Sequence, residues 1–149
     1  MTPAERLRAL VKAAPAGVRA ALEGMGIEPR IVRRAATGQP VNAADHLRLL
    51  ARLGVDPVTG DAIESTLVGP LHMPSLSAAC RIKRMQEDLS LRIAAKAALM
   101  SVSALGRIEK GERTGFEAVL SACAWLNRHP FEFCAPVTRE TPVGTKDAA

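Results

Sequence analysis

Apolar residues recur at helical spacing along the chain, in segments opened and closed by residues that cap helices. Thr2-Pro3-Ala4-Glu5 has the form of a capping box with proline at the first helical position. Leu7, Leu10, Val11 and Ala14 follow it on one face. Pro15 opens a second segment carrying Val18, Ala21, Leu22 and Met25, which Gly24 and Gly26 stop. Pro29 opens a short third one with Ile31, Val32 and Ala35, and Gly38 stands where a left-handed C-cap is wanted. Asn42 caps a fourth, with Asp45 at its third position, Leu47, Leu50 and Leu53 on its apolar face and Gly54 at its end.

The second half follows the same plan. A helix is predicted over Ser77 to Leu89, and Ser90 caps the next, with Ala94, Ala95 and Ala98 inside it. Ser101 caps a third with Leu105 and Ile108, stopped by Gly111. Thr114-Gly115-Phe116-Glu117 reads as a further capping box before Val119, Leu120, Cys123 and Leu126. One ungapped offset of 73 residues aligns Arg8 with Arg81, Arg34 with Arg107, Gly38 with Gly111, Leu47 with Leu120 and Pro57 with Pro130. Such self-similarity predicts two related helical units. The boundaries are drawn at 1–57 and 77–134, with a connector over 58–76 and a disordered tail over 135–149. The connector's Ile63, Leu67, Val68 and Leu71 predict a packing role, and a short helix is expected at 61–67.

Composition narrows the class. The 149 residues include 26 alanines and only 3% aromatics, with no tyrosine, which disfavours a β-sandwich or barrel and favours an all-α fold. No apolar run approaches the roughly 20 residues of a membrane span, and Met1 to Lys12 lack the apolar block of a secretory signal. Cys80, Cys123 and Cys134 are scattered, so they predict core thiols in a reducing cytoplasm rather than disulfides. His46, His72 and His129 stand apart, predicting surface or core-edge residues; no metal or cofactor site is expected. Trp125 is expected to anchor packing. No phosphate-binding glycine loop, Ser/His/Asp set or carboxylate pair stands out, so an enzyme is not expected. The net charge of +5 divides into +4 over residues 1–40, −2 over 41–75 and +3 over 76–134. Two basic blocks flanking an acidic middle fit a polyanion partner, on evidence that charge alone leaves weak.

The second and third segments of each unit, joined by a tight turn, form a helix-turn-helix arrangement. Gly26 can take positive φ in the first turn, with Ile27 pointing back into the core; Leu99 and Met100 stand there in the second, a less ideal turn. The stretch Leu91 to Arg113, with Gly-Arg-Ile-Glu-Lys-Gly-Glu-Arg at 106–113, resembles the lambda-repressor-like, XRE-type helix-turn-helix family. Ala21 to Asp56 resembles a diverged copy of the same domain. The resemblance implies a sequence-specific, duplex-DNA-binding transcriptional regulator of bacterial type, whose third helix in each unit enters the major groove. It also implies a structural ion pair between Arg84 of helix one and Glu109 of the Glu-x-Gly motif. The first unit has Val11 and Ala36 there, so both charges are absent together and none is left buried alone.

On that resemblance, the base-reading candidates are Arg30, Arg33 and Arg34 in the first unit and Val102, Ser103 and Arg107 in the second. Arg19, Gln39, Arg92, Lys110 and Arg113 are placed for phosphate contact. A solvated helix face is the alternative for the three arginines, and local carbonyl capping for Arg113. Two units in one chain can do what such proteins achieve as dimers, and a homodimer would carry four. The competing reading is a protein-interaction regulator of antitoxin or anti-activator type that keeps the fold and has lost DNA contact. The poor recognition face of the second unit favours it there, and the triple-arginine face of the first argues against it for the whole.

Overall fold

The computed structural model describes residues 2–15, 20, 22 and 26–136. Among them lie seven α-helices and no strand: α1 (Pro3–Ala13), α2 (Pro29–Ala36), α3 (Ala43–Leu53), α4 (Met73–Gln86), α5 (Leu91–Ala97), α6 (Val102–Glu109) and α7 (Phe116–Leu126). A 3-10 turn over Pro130–Phe133 follows. The helix expected from Pro15 falls almost wholly outside the described residues, as do Arg19 and the tail from residue 137.

Polar side chains at the helix starts take up backbone donors that a helix leaves free. The Thr2 hydroxyl accepts from the Glu5 N–H at 3.1 Å, and the Glu5 carboxylate accepts from the Thr2 N–H at 2.7 Å. Asn42, Ser90 and Ser101 accept from the N–H groups of Asp45, Ile93 and Ala104. The capping box expected at Thr114 does not form: Gly115 is the N-cap of α7 and supplies no side chain. α4 starts at Met73 rather than Ser77, with Pro74 in its first turn.

The segment 61–67 is extended, not helical. Its donors serve the carbonyls at the end of α3 instead. Ile63 N–H donates to Gly54 at 2.8 Å, the Ser65 hydroxyl to Arg52 at 2.6 Å and Thr66 N–H to Ala51 at 3.0 Å. Gly54 permits this, with φ +76° and the Ile63 carbonyl 2.7 Å from where a Cβ would stand. Ala135, expected at the start of a free tail, is paired with the connector: its carbonyl accepts from Gly69 N–H and its own N–H donates to Pro70, both at 2.8 Å. A Cβ on Gly69 would run into that carbonyl.

The 73-residue offset reappears in the backbone. The bounds of α2 and α6 differ by that number at both ends, as do those of α3 and α7. Three pairs of positive φ follow it: Gly26 (+82°) with Leu99 (+58°), Gly38 (+82°) with Gly111 (+75°), and Gly54 (+76°) with Asn127 (+57°). The bond from Gln39 N–H to the Arg34 carbonyl and that from Glu112 N–H to the Arg107 carbonyl match at 2.9 Å.

Two apolar clusters form. Leu7, Val11, Leu22, Ile27, Ile31, Val32, Ala35, Leu49 and Leu50 make the first. Leu76, Cys80, Ala94, Ala95, Leu105, Ile108, Val119, Ala122, Cys123 and Phe133 belong to the second. The seam between them is shared, because α3 lends Ala43 and Leu47 to the second cluster and Phe116 packs on the first. Each large side chain so buried contributes about 1.5–3 kcal/mol relative to exposure. The ordering of such a chain opposes that gain with losses of similar size.

Candidate nucleic-acid interface

α2 buries Ile31, Val32 and Ala35 and turns Arg30, Arg33 and Arg34 outward. The three arginines are not equivalent. Arg30 donates from Nε and Nη2 to the Glu28 carboxylate at 3.4 and 3.3 Å, with both side chains about two-thirds exposed. Arg34 Nη2 donates to the Pro40 carbonyl at 2.7 Å and so braces the loop after the helix. Arg33 makes no side-chain hydrogen bond among the described residues and stands exposed on the same face. Gln39 is exposed beyond the helix.

Sequence reasoning gave Arg8 no role. Its aliphatic stem passes 3.1 Å from where a Gly38 Cβ would lie, so α1 carries a further cation to the end of α2. Arg8 and Lys12 line a shallow hollow there with Glu5 and Ala9. The alignment of Arg8 with Arg81 was its only sequence signal.

α6 buries Ala104, Leu105 and Ile108 and exposes Val102, Ser103, Arg107 and, just past its end, Lys110. A Cβ on Gly106 would stand 3.7 Å from the Leu91 side chain, where α5 meets α6. Arg92 and Arg113 are exposed. The surface around this turn is also apolar. Leu99 is 86% exposed in the left-handed region, and Ile93 of α5 and Val102 of α6 are exposed too.

Arg84 and Glu109 are brought together as a two-pronged pair. Nε donates to Oε2 at 2.8 Å and Nη2 to Oε1 at 2.9 Å, with Nη1 reaching the Leu89 carbonyl at 3.2 Å. The Glu109 carbonyl accepts from the buried Ser77 hydroxyl at 2.6 Å. Side-chain exposure is 26% for Arg84 and 8% for Glu109. The pair ties α4 to the last turn of α6 and fixes where α6 sits. At the corresponding places in the first unit, Val11 is buried and Ala36 half-buried.

Other titratable groups lie in the core or the seam. His46, expected at a surface or core edge, is buried and stacks on Phe116, ring centroids 3.7 Å apart and 7° from parallel. Burial pushes its pKa down to about 4, so the ring is neutral at pH 7. The His129 ring lies 3.2 Å from the Asp56 carboxylate. Burial pushes Asp56 up, but the Val58 and Thr59 N–H groups and His129 outweigh it and hold the carboxyl below its usual range. Burial pushes the Cys80 and Cys123 thiols up to about 12, which leaves no thiolate for chemistry. Among the described residues no three His, Cys, Asp or Glu side chains are grouped to hold a metal ion. No helix among them is long and apolar enough to cross a membrane.

Comparison with protein-family models, with curated proteins and with solved structures returns no match.

Proposed function

We propose that the chain is a sequence-specific, duplex-DNA-binding transcriptional regulator made of two tandem helix-turn-helix units of lambda-repressor-like type, and that it acts in the cytoplasm on the nucleoid. One observation carries the reading: among the described residues a positive-φ turn and the short helix after it recur at the same register, and the first copy presents Arg30, Arg33 and Arg34 outward. Arginine is the commonest reader of guanine in the major groove. In this reading α2 is the main base reader and the second unit mostly positions the complex, through Arg92, Lys110 and Arg113 on phosphate. Arg33, unencumbered, is the first of the three to meet a base edge.

Selection from a random duplex pool tests the proposal, followed by titrations at several salt concentrations. Loss of a base-reading arginine is expected to cost about 1–3 kcal/mol on the selected site and to relax specificity there. Binding that never rises above the non-specific level would sink the reading.

A protein-interaction regulator is the second reading, favoured by the exposed Ile93, Leu99 and Val102 around the second turn. An apolar surface of this kind fits a protein partner better than a phosphate backbone. It applies to the second unit, since the arginine face of α2 has no such apolar character.

A further inference from the structure

Two copies of a unit in one chain can be related by translation along an axis or by a half-turn, and the seam distinguishes them. In a half-turn arrangement the same patch faces itself, so residue i meets j of the other copy while j meets i, and a residue on the axis meets its own counterpart. His129 is the counterpart of Asp56 at the offset of 73, and the two side chains meet at 3.2 Å. His46 stacks on Phe116, the counterpart of Ala43. The reciprocal pair, Ala43 and Val119, lies within one core cluster. A second reciprocal set follows the same offset. Val58 and Leu120 line one open hollow of about 610 Å³, and their counterparts Phe131 and Leu47 share the second core.

We infer that the two units face each other across a local two-fold axis passing between Asp56 and His129, so that one chain is a fused dimer whose target is a single duplex carrying two inverted, unequal half-sites. The target part of this inference rests on the DNA-binding reading above; the arrangement itself does not. A half-turn points the two reading helices at DNA in opposite senses, which selects inverted arms. Their chemistry selects unequal ones: arginines over one arm, and Val102, Ser103 and Arg107 over the other. The contacts that would join two chains into a dimer are already made within one chain, so the complex contains one chain per duplex.

Two measurements on the full chain test this. The first needs no DNA. Spin labels are placed at cysteines introduced as Lys12→Cys with Ser103→Cys, and separately as Arg30→Cys with Met85→Cys, both in a Cys134→Ser background. All four positions are exposed, and the two pairs exchange under the half-turn. Equal inter-label distances are expected; distances that differ beyond the width of the label distributions overturn the two-fold arrangement. The second compares the selected duplex with one in which one arm is reversed into a direct repeat. Reversal is expected to weaken binding by about 10²-fold, because the second arm no longer engages together with the first. A one-to-one mass of the complex is expected alongside. Preference for direct repeats, or two chains on one duplex, overturns the target. Equal label distances with no selected duplex at all overturn the DNA reading and leave the fused dimer standing.

Discussion

Before α2 the tight turn is made by Gly26, and the helix presents three outward arginines over a floor that contains Val11 and Ala36. Before α6 the same turn is made by Leu99, the outward face mixes Val102, Ser103, Arg107 and Lys110, and the floor contains Arg84 clamped on Glu109. The bounds of the two helices and the positive φ of the two turns match at the offset of 73. The difference teaches that the frame is set by capping residues, positive-φ positions and apolar register, whereas what lies under and outside it is free to change. An apolar pair and a paired charge both satisfy the floor; a single charge would not.

The largest effect is expected where that comparison is broken by half. Arg84→Ala leaves the Glu109 carboxylate buried without its partner, and should destabilise the chain by about 3–4 kcal/mol in denaturant unfolding. Glu109→Ala should lose less, because Arg84 is a quarter exposed and can turn to water. Arg84→Val with Glu109→Ala, which copies the first unit's pair, should recover most of the loss; no recovery would mean that the pair does more than avoid a lone charge.

A somewhat smaller effect belongs to the seam. His46 has a folded pKa of about 4 against an ordinary 6.5. Between those values the unfolded chain binds the proton more readily, so stability is full above about pH 6.5 and falls as pH drops towards 4. The loss should reach about 3 kcal/mol, and His46→Leu should flatten it in chemical unfolding curves taken across that range.

The smallest effect concerns the turns. Leu99 holds φ +58° with its side chain in water, and Gly26 holds φ +82° with only the end of Arg48 within 4 Å of a Cβ. Leu99→Gly should raise stability by about 0.5–1 kcal/mol and Gly26→Ala should lower it by about 1, since the left-handed region penalises a Cβ and glycine gives part of that back as chain entropy. Opposite signs at matched positions are the expected thermal-unfolding result. A stabilised Leu99→Gly protein that binds a protein partner less well would mark that turn as a contact surface.

Much of the frame was readable from the sequence, because Thr2, Asn42, Ser90 and Ser101 cap through their own side chains and Gly38, Gly54 and Gly111 close helices by local geometry. What was not readable depends on distant chain. Residues 61–67 have apolar content that fits a helix, but the carbonyls of Ala51, Arg52 and Gly54 claim their donors. Thr114 has the form of a cap, yet the N-cap of α7 falls one residue later, at Gly115. His46 read as a surface or core-edge residue, and it is Phe116, seventy positions on, that supplies the ring it is buried against. Asp56 and His129 occupy matching places in the repeat, but only folding brings them into contact. Among the candidate interface residues, the outward placement of Arg30, Arg33 and Arg34 followed from helical register; their different engagement, with Glu28, with solvent and with Pro40, did not.

The central claim, that α2 is the main base reader while the second unit mostly holds phosphate, is tested most directly by one titration series. Arg33→Ala and Lys110→Ala are compared with the unaltered chain on selected and scrambled duplexes over a range of salt. Arg33→Ala should erase most of the preference for the selected duplex in one arm. Lys110→Ala should keep that preference, weaken both duplexes alike and lower the salt slope by about one. The opposite pattern, with preference unchanged in Arg33→Ala and lost in Lys110→Ala, would contradict the assignment.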